Sequence, residues 1–278
     1  MKFFKQNTLL FSLYLLLVVF LPKSPSQAQE KAYRLSPDKE IPLLTTGTLG
    51  TVSSLVLRVN QSPLDSMQII ELNRDHLLGF DLPATENYNQ DARIASDVFL
   101  NVSYLFPLAP LLIKDARQEF GIISVMLLET ILLNETFTGL SKVLVSRPRP
   151  FTHNADVPFE ERIQEDNNLS FFSGHTSYTA ALSFFSAQVL SQYIDNPTTR
   201  KVIWAGAIAW PAATGYFRYA AGKHYITDIL TGYVIGAALG YFIPRLHETT
   251  KGKNLETNTK GFHLDPQASQ MFKLVFVF

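Results

Sequence analysis

Apolar residues are concentrated in six segments downstream of residue 40, and each segment approaches the ~20 residues that an α-helix needs to cross a bilayer. They cover residues 42–59, 96–113, 120–144, 176–194, 202–219 and 229–246. The last three carry hardly any charge and are rich in small residues, which let membrane helices approach closely. The pattern predicts an all-α fold, a membrane-embedded helical bundle with about six core helices. A secreted helical domain whose core helices are apolar all round is the alternative.

The N-terminus has the features of a targeting segment. Lys2 and Lys5 precede an apolar run over 9–21, and the polar stretch that follows ends in Ser26-Gln27-Ala28. A positive region, an apolar core and a small-x-small exit predict a signal peptide with cleavage after Ala28, and an uncleaved anchor is the alternative. In both cases part of the protein is expected outside the cytoplasm.

Charge and cysteine content narrow the chemistry. The formal net charge is zero and the chain has no cysteine. A neutral chain gives no reason to expect a nucleic-acid partner, because no excess of positive charge is available. The lack of cysteine excludes disulfides, thiolate metal sites and a cysteine nucleophile.

Charged side chains stand out in three short clusters at the edges of apolar segments. In the first, Lys142 ends the third segment and Arg149 follows on an arm that Pro148 and Pro150 prevent from continuing as a helix. A lysine at a helix end and an arginine on a restricted arm suit a two-point grip on phosphate oxygens. A basic helix terminus that complements the helix dipole is the plainer explanation.

The other two clusters add histidines. Ser173-Gly174-His175 stands just before the fourth segment, where the free N–H groups of a first helical turn bind anions. An ordinary helix cap with an incidental histidine is the alternative. His224 and Asp228 are four residues apart, so in a helical turn the carboxylate reaches one imidazole nitrogen and leaves the other nucleophilic. Arg218 adds a cation to this third cluster, although a His-Asp pair alone is usually structural.

Taken in order, the three clusters resemble the three signature motifs of the type 2 phosphatidic acid phosphatase (PAP2) superfamily. The matching residues are Lys142, Arg149, Pro150, Ser173, Gly174, His175, Arg218, His224 and Asp228. The resemblance covers about residues 96–246 and is strongest to bacterial membrane members that act on lipid phosphates. Two positions depart from the commonest pattern, since Phe172 stands in place of a proline and Phe217 in place of a serine.

The resemblance implies a role for each matching residue. His224 would attack phosphorus and form a phosphohistidine, Asp228 would orient its imidazole, and His175 would protonate the departing alcohol and later activate water. The phosphate oxygens would be held by Lys142, Arg149, Ser173, Gly174 and Arg218. This scheme needs no cofactor and no metal. Arg147 and Lys223 fall outside the motif register and are expected to give support at most.

The function that the resemblance implies is a phosphatase acting on a phosphomonoester or pyrophosphate of a membrane lipid. Phosphatidate, phosphatidylglycerol phosphate, undecaprenyl pyrophosphate and lipid A types are all compatible, and no obligate protein partner is evident. A soluble periplasmic non-specific acid phosphatase and, less favoured, a vanadium-dependent haloperoxidase are alternatives with an equivalent site. A catalytically silent helical transporter or binding protein is the alternative from another class.

The expected organisation has four parts. Residues 1–28 are the signal peptide or N-terminal anchor, 29–95 the first helix and a polar extracytoplasmic loop, 96–246 the PAP2 catalytic domain, and 247–278 a polar tail with a strand-like end. Six crossings put all three clusters on one side and the connections richest in Lys and Arg on the other, so the site is expected to face the periplasm or exterior from the inner membrane. A cleaved signal peptide would invert this arrangement unless the segment 42–59 does not fully cross.

Three polar residues lie inside the third apolar segment. Carboxylates at bilayer depth are costly and usually functional, and here they are Glu129 and Glu135, with Asn134 beside them. We favour the interpretation that all three face the bundle interior, with Glu135 near Lys142.

Overall fold

The computed structural model describes residues 31–164 and 166–249. The α-helices in this part of the chain are α1 (Pro37–Val59), α2 (Ser66–Ile70), α3 (Gln90–Ser103), α4 (Lys114–Gln118), α5 (Phe120–Val145), α6 (Phe159–Arg162), α7 (Gly174–Ser191), α8 (Pro197–Ala220) and α9 (Ile226–Leu246). Three 3₁₀-helices cover Leu82–Glu86, Phe106–Leu112 and Pro150–His153. The described residues contain no β-strand, and the predicted all-α class is confirmed. The predicted signal peptide and the strand-like end lie outside the described residues.

Capping residues and prolines set the ends of these helices. Asn196 caps α8 by accepting a hydrogen bond from Thr199 N at 3.0 Å, and Pro197 occupies the first helical position. The segment 96–113 is not one continuous helix, because α3 ends at Ser103 and a 3₁₀-helix follows. Pro107 and Pro110 explain this break, since neither has the N–H that an α-helix would use.

Helical stretches long and apolar enough to cross a membrane are found four times in the described ranges. They are Pro37–Val59, Gln90–Leu112, Phe120–His153 and Ile226–Leu246. α1 is mostly exposed although it is apolar, and Val59 is 86% accessible. Large apolar side chains left uncovered along a helix are typical of a lipid-facing surface. The membrane-embedded bundle is confirmed.

The crossings of α7 and α8 stay a prediction, because neither helix is among these four stretches. Frequent Ser and Thr lower the hydropathy of α7, whose side chains are buried against its neighbours rather than exposed. α7 packs chiefly against α8 and α9 and also contacts α5. It is therefore the central helix of the bundle, and the elements that carry the three clusters all meet it.

Glycines on one face of α9 allow it to lie directly on the backbone of α7. A Cβ at Gly232, Gly236 or Gly240 would lie only 2.1–2.5 Å from a backbone carbonyl oxygen at the start of α7 or within it. No side chain tolerates so short a distance. The four-residue spacing repeats once per helical turn, so the contact runs along the helix. This packing holds the N-termini of α7 and α9 at the same end of the bundle.

The opposite end of the bundle is closed by the two ends of the described chain. Arg34 N donates to His247 O and Thr249 N donates to Ala32 O, both at 2.9 Å. The carboxylate of Glu119 accepts hydrogen bonds from the backbone just before α1, at 2.9 and 3.0 Å. The segment just before α1 and the end of α9 are thereby tied together.

Candidate active site

The three clusters meet at one end of the bundle, where α5 and α8 end and α7 and α9 begin. Ser173 N donates to Asp228 O at 3.0 Å, which joins the second cluster to the third. A Cβ added at Gly174 would lie 3.9 Å from Lys142 Cε, so the second cluster also adjoins the first. The side chain of Ser173 caps α7 as expected, by accepting from Thr176 N.

Arg149 is held on the arm that follows α5 and points into this end of the bundle. Its backbone N donates to Asn167 O at 2.7 Å, and its Nε donates to Asp166 O at 3.0 Å. Nη1 donates to Lys223 O at 3.1 Å and lies 3.4 Å from His224 Nε2. The arginine of the first cluster therefore faces the histidine of the third.

His224 is a buried imidazole surrounded by positive charge. Its pKa lies well below the ordinary histidine value because burial disfavours the charged form, and Arg149, Lys142 and Arg218 repel a further positive charge. Arg149 donates toward Nε2, so the lone pair lies on that nitrogen and the ring proton on Nδ1. At neutral pH the ring is uncharged, and its Nε2 lone pair faces the cationic side chains.

The Asp228 carboxylate lies 3.5 Å from His224 Nδ1, an ion-pair distance that exceeds a hydrogen bond. Its shorter contacts are elsewhere. Oδ2 accepts from Tyr225 N at 3.0 Å and from Ser170 Oγ at 2.5 Å, while Oδ1 accepts from Arg147 Nη1 at 2.7 Å. Asp228 is therefore fixed mainly by these three donors, beside the imidazole that it was expected to orient.

Arg147 and Asp81 form a buried network behind Asp228 that sequence reasoning underestimated. Arg147 Nη2 donates to Asp81 Oδ2 at 2.9 Å, and Arg147 stacks 3.8 Å from the ring centre of Tyr225. Asp81 is completely buried and also accepts from Thr227 Oγ1 at 2.6 Å and from Thr227 N at 3.1 Å. The polar loop 60–95 thus contributes a structural carboxylate to the site.

A second histidine-carboxylate pair involves His175 and Asp97, which no motif indicated. His175 Nε2 lies 2.8 Å from Asp97 Oδ1, and the Asp97 side chain is about half exposed at 48%. Arg218 Nη1 lies 3.8 Å from the same oxygen and 3.3 Å from Ser96 Oγ. The buried Nε of Arg218 has no hydrogen-bond partner among the described residues. α3 therefore supplies a carboxylate to both a histidine and a cation of the site.

The remaining predicted residues occupy the same region with some differences. Lys142 is buried and donates to Leu169 O at 2.7 Å. Glu135 does not pair with Lys142 as expected, because it accepts from Tyr178 Oη at 2.7 Å and pairs with Arg58 at 3.4 Å. Phe172 is buried against Gly232 of α9.

Cations and imidazoles dominate this end of the bundle, and its buried carboxylates are already engaged by arginine or histidine. The arrangement suits an anion such as phosphate, since buried donors with a net positive field bind anions strongly. It does not resemble an acidic site for a divalent metal, which is built from oxygen ligands.

The chain is similar in sequence to proteins of known family. Residues 123–251 match the family model of the PAP2 superfamily. Lipid A 4'-phosphatase of Porphyromonas gingivalis is 24% identical over 54% of this chain and 60% of its own length. Phospholipid phosphatase 1 of Mus musculus is 26% identical over 36% of this chain and 44% of its own.

Among solved structures, a transmembrane PAP2-type phosphatidylglycerolphosphate phosphatase from Bacillus subtilis is 16% identical with a TM-score of 0.40, covering 81% of this chain and 99% of that one. The match to the lipid A 4'-phosphatase covers only about 60% of the length of that relative. The matched range 123–251 contains all three clusters, whereas Asp81 and Asp97 precede it. The family model over residues 123–251 supports the resemblance to the PAP2 superfamily that the sequence indicated.

Proposed function

We propose that this protein is a membrane phosphatase that hydrolyses a phosphomonoester or pyrophosphate of a lipid through a phosphohistidine on His224. The observation that carries the proposal is the distance of 3.4 Å between His224 Nε2 and Arg149 Nη1 in a buried, cation-rich site. Phosphoryl transfer requires a nucleophile and positive charge that stabilises the phosphoryl oxygens. The neutral imidazole supplies the first, and the anion-binding side chains beside it supply the second.

In the first step, the lone pair of His224 Nε2 attacks phosphorus and the bond from phosphorus to the leaving oxygen breaks. Burial disfavours the charged form of His175, whereas Asp97 and the negative charge of a bound phosphate would favour it. The resulting imidazolium gives its proton to that oxygen, so the product leaves as a neutral alcohol or as the protonated lipid phosphate. In the second step, His175 takes a proton from water, the water oxygen attacks phosphorus, and the bond to Nε2 breaks. Inorganic phosphate is released and both histidines return to their starting forms.

Arginine and lysine would carry the charge stabilisation in both steps. The buried Nε of Arg218, which has no partner among the described residues, supports a role in binding an equatorial phosphate oxygen. Lys142, Arg149 and the first-turn amides at Ser173 and Gly174 would bind the others. This scheme derives every step from side chains of the chain itself.

A lipid substrate is supported by the membrane character of the bundle. Exposed apolar residues on α1, such as Leu49 at 63%, sit on a helix long enough to span a bilayer. Such a surface favours a lipid phosphatase over a soluble acid phosphatase, because a soluble domain would bury these side chains. The names of two relatives, a lipid A 4'-phosphatase and a phospholipid phosphatase, support the same substrate class.

The direct test is phosphate release by the purified, detergent-solubilised chain from a panel of lipids. The panel comprises phosphatidate, phosphatidylglycerol phosphate, undecaprenyl pyrophosphate and a lipid A phosphate, with p-nitrophenyl phosphate as a water-soluble comparison and EDTA in parallel reactions. We expect hydrolysis of at least one lipid, faster than that of p-nitrophenyl phosphate and retained in EDTA. A preference for the water-soluble ester would favour an acid phosphatase, and bromide oxidation after addition of vanadate would favour a haloperoxidase.

We also propose that the site faces away from the cytoplasm. Connections at the other end of the bundle carry Lys114, Arg117, Arg200 and Lys201, and an excess of such residues marks the cytoplasmic side. The chain has no cysteine, so single cysteines report topology without background. In intact cells, a membrane-impermeant maleimide should label Glu160→Cys near the site but not Thr198→Cys at the other end; the reverse pattern would refute this orientation.

A further inference from the structure

Glu129 is a buried carboxylate that lies far from the candidate active site. Its side chain is completely inaccessible, and neither of its oxygens has a hydrogen-bond partner among the described residues. It precedes Lys142 by 13 positions on α5, which corresponds to about 20 Å along the helix axis. A buried carboxylate without hydrogen bonds is strongly unfavourable unless a positive charge compensates it.

His247 is the nearest candidate for compensation, and its ring orientation is informative. Nδ1 lies 2.9 Å from Ile243 O, which can only accept, so Nδ1 carries the ring proton. Nε2 then holds a lone pair, yet it lies 3.0 Å from Glu40 Oε1 and 3.5 Å from Glu129 Oε2. Three electron-pair donors therefore face one another, and they require either an extra proton or a cation between them.

Two other charged side chains at this end of the bundle are engaged elsewhere. Lys39 donates to Leu246 O, and the Glu119 carboxylate accepts from the backbone of Ala32 and Tyr33. Within residues 31–164 and 166–249, neither Glu40 nor Glu129 forms an ion pair with a lysine or arginine. The local sum of two carboxylates and a neutral imidazole matches the charge of a divalent cation.

We propose that Glu40, Glu129 and His247 bind one divalent cation, with zinc as the best match. Their ligand atoms all lie within 4.8 Å of one another. Zinc bonds of about 2.0–2.2 Å to nitrogen and carboxylate oxygen require a modest inward movement of these side chains. One imidazole and two carboxylates are ligand types that zinc accepts. A ligating histidine that donates its other N–H to a backbone carbonyl is the usual outer-shell arrangement.

Such an ion would join three separate parts of the bundle. Glu40 lies in the first turn of α1, Glu129 in the middle of α5, and His247 directly after α9. The ion would hold the mostly exposed α1 against the rest of the fold, at the end opposite the active site. Its role is therefore structural, and the catalytic scheme does not depend on it.

The test uses the tag-free, detergent-solubilised full chain after treatment with EDTA and dialysis. Zinc is then added, and the bound metal per chain is measured by elemental analysis together with the melting temperature. We expect one zinc per chain and a higher melting temperature. Cobalt substitution should give visible d–d absorption that zinc removes. Retention of clearly less than one zinc per chain, with no change in melting temperature, would overturn the proposal.

Matched variants locate the ion. Glu129→Gln keeps the side-chain shape and should weaken zinc binding by more than the about 10–100-fold that outer-shell changes cause. The control Glu135→Gln makes the same change on the same helix, where Glu135 pairs with Arg58 and Tyr178, and should retain zinc. Equal zinc binding by both variants would refute the assignment and favour a shared proton between His247 and the two carboxylates. Because phosphatase activity is expected in EDTA, failure of this proposal leaves the proposed function untouched.

Discussion

The two ends of the bundle present opposite problems of charge. At one end, Lys142, Arg149 and Arg218 surround a buried imidazole. At the other end, Glu40 and Glu129 face the lone pair of His247. The first set of residues favours an anion, and the second requires a proton or a cation, of which we propose a cation. Uncompensated charge in the interior thus indicates a ligand at each end. The sign of that charge indicates whether the ligand is an anion or a cation.

Two buried carboxylates, one at each end, differ in the same way in the hydrogen bonds that they accept. Asp228 accepts three hydrogen bonds, from Arg147, Ser170 and the backbone of Tyr225. Glu129 accepts none among the described residues. A carboxylate that accepts several hydrogen bonds is fixed in position and can orient a neighbour, whereas one that accepts none is available to bind a ligand. Burial alone therefore does not distinguish a positioning residue from a ligand.

The largest effect is expected from His224→Gln, which removes the nucleophile from the cation-rich end. Phosphate release should fall by about three orders of magnitude or more, because the proposed phosphohistidine can no longer form. His76→Gln, in the exposed loop before α3, is the matched control and should keep full activity. Normal turnover by His224→Gln would show that His224 is not the nucleophile, and the cation-rich end would then lose its proposed catalytic role.

Asp97→Asn should lower kcat by about 10–100-fold, less than the roughly 100- to 10,000-fold that general acid–base catalysis contributes, because His175 itself remains. Asparagine cannot stabilise the imidazolium of His175, so the loss should be large for lipid phosphates with poor leaving groups and small for p-nitrophenyl phosphate. Asp91→Asn, at the exposed start of the same helix, serves as the control. An equal decrease in kcat for both substrates would mean that Asp97 stabilises the structure and does not assist proton transfer.

Asp81→Asn tests whether the network behind Asp228 differs from an ordinary surface ion pair. Removing the charge of a completely buried carboxylate that pairs with Arg147 should destabilise the fold by about 2–4 kcal/mol. Glu86→Gln removes an exposed ion pair with Arg74 and should change stability by less than about 1 kcal/mol. Denaturation in detergent measures the free energy of unfolding of both variants. Comparable losses would contradict the view that the Asp81 network differs from a surface ion pair.

The smallest effect concerns Lys223, which lies 3.9 Å from the ring centre of Phe151 beside the site. Burial and the nearby charges of Arg149 and Arg218 lower the pKa of Lys223 to about 7. The ammonium is therefore charged below this pH and neutral above it, and KM should rise about threefold as pH passes through 7, as expected for a weak, screened charge effect. Lys223→Arg keeps its charge and should show a flat KM; a rise identical to that of the wild type would exclude Lys223 as the cause.

Contiguous patterns explain what the sequence predicted well. The apolar runs identified the long helices, but they did not predict the break after α3, which Pro107 and Pro110 explain. Lys142, Ser173, Gly174 and His224 could be proposed as site residues because each belongs to a short cluster at a helix end. Local order along the chain was sufficient for these features.

Residues from distant segments could not be predicted in the same way. Asp81 is one of several acids in the loop 60–95, and no spacing distinguishes it from the exposed ones. Asp97 was detectable only as a carboxylate inside an apolar segment, the same signal that drew attention to Glu129. Their partners depend on how α3 and the loop pack against α7 and α9, which is a property of the tertiary structure.

The central claim is that His224 becomes covalently phosphorylated. The most direct measurement is rapid quenching of the enzyme with ³²P-labelled lipid phosphate, followed by peptide mapping. We predict an acid-labile, alkali-stable label on the peptide that contains His224, absent from His224→Gln. Label on a serine or carboxylate, or none during steady turnover, would contradict it.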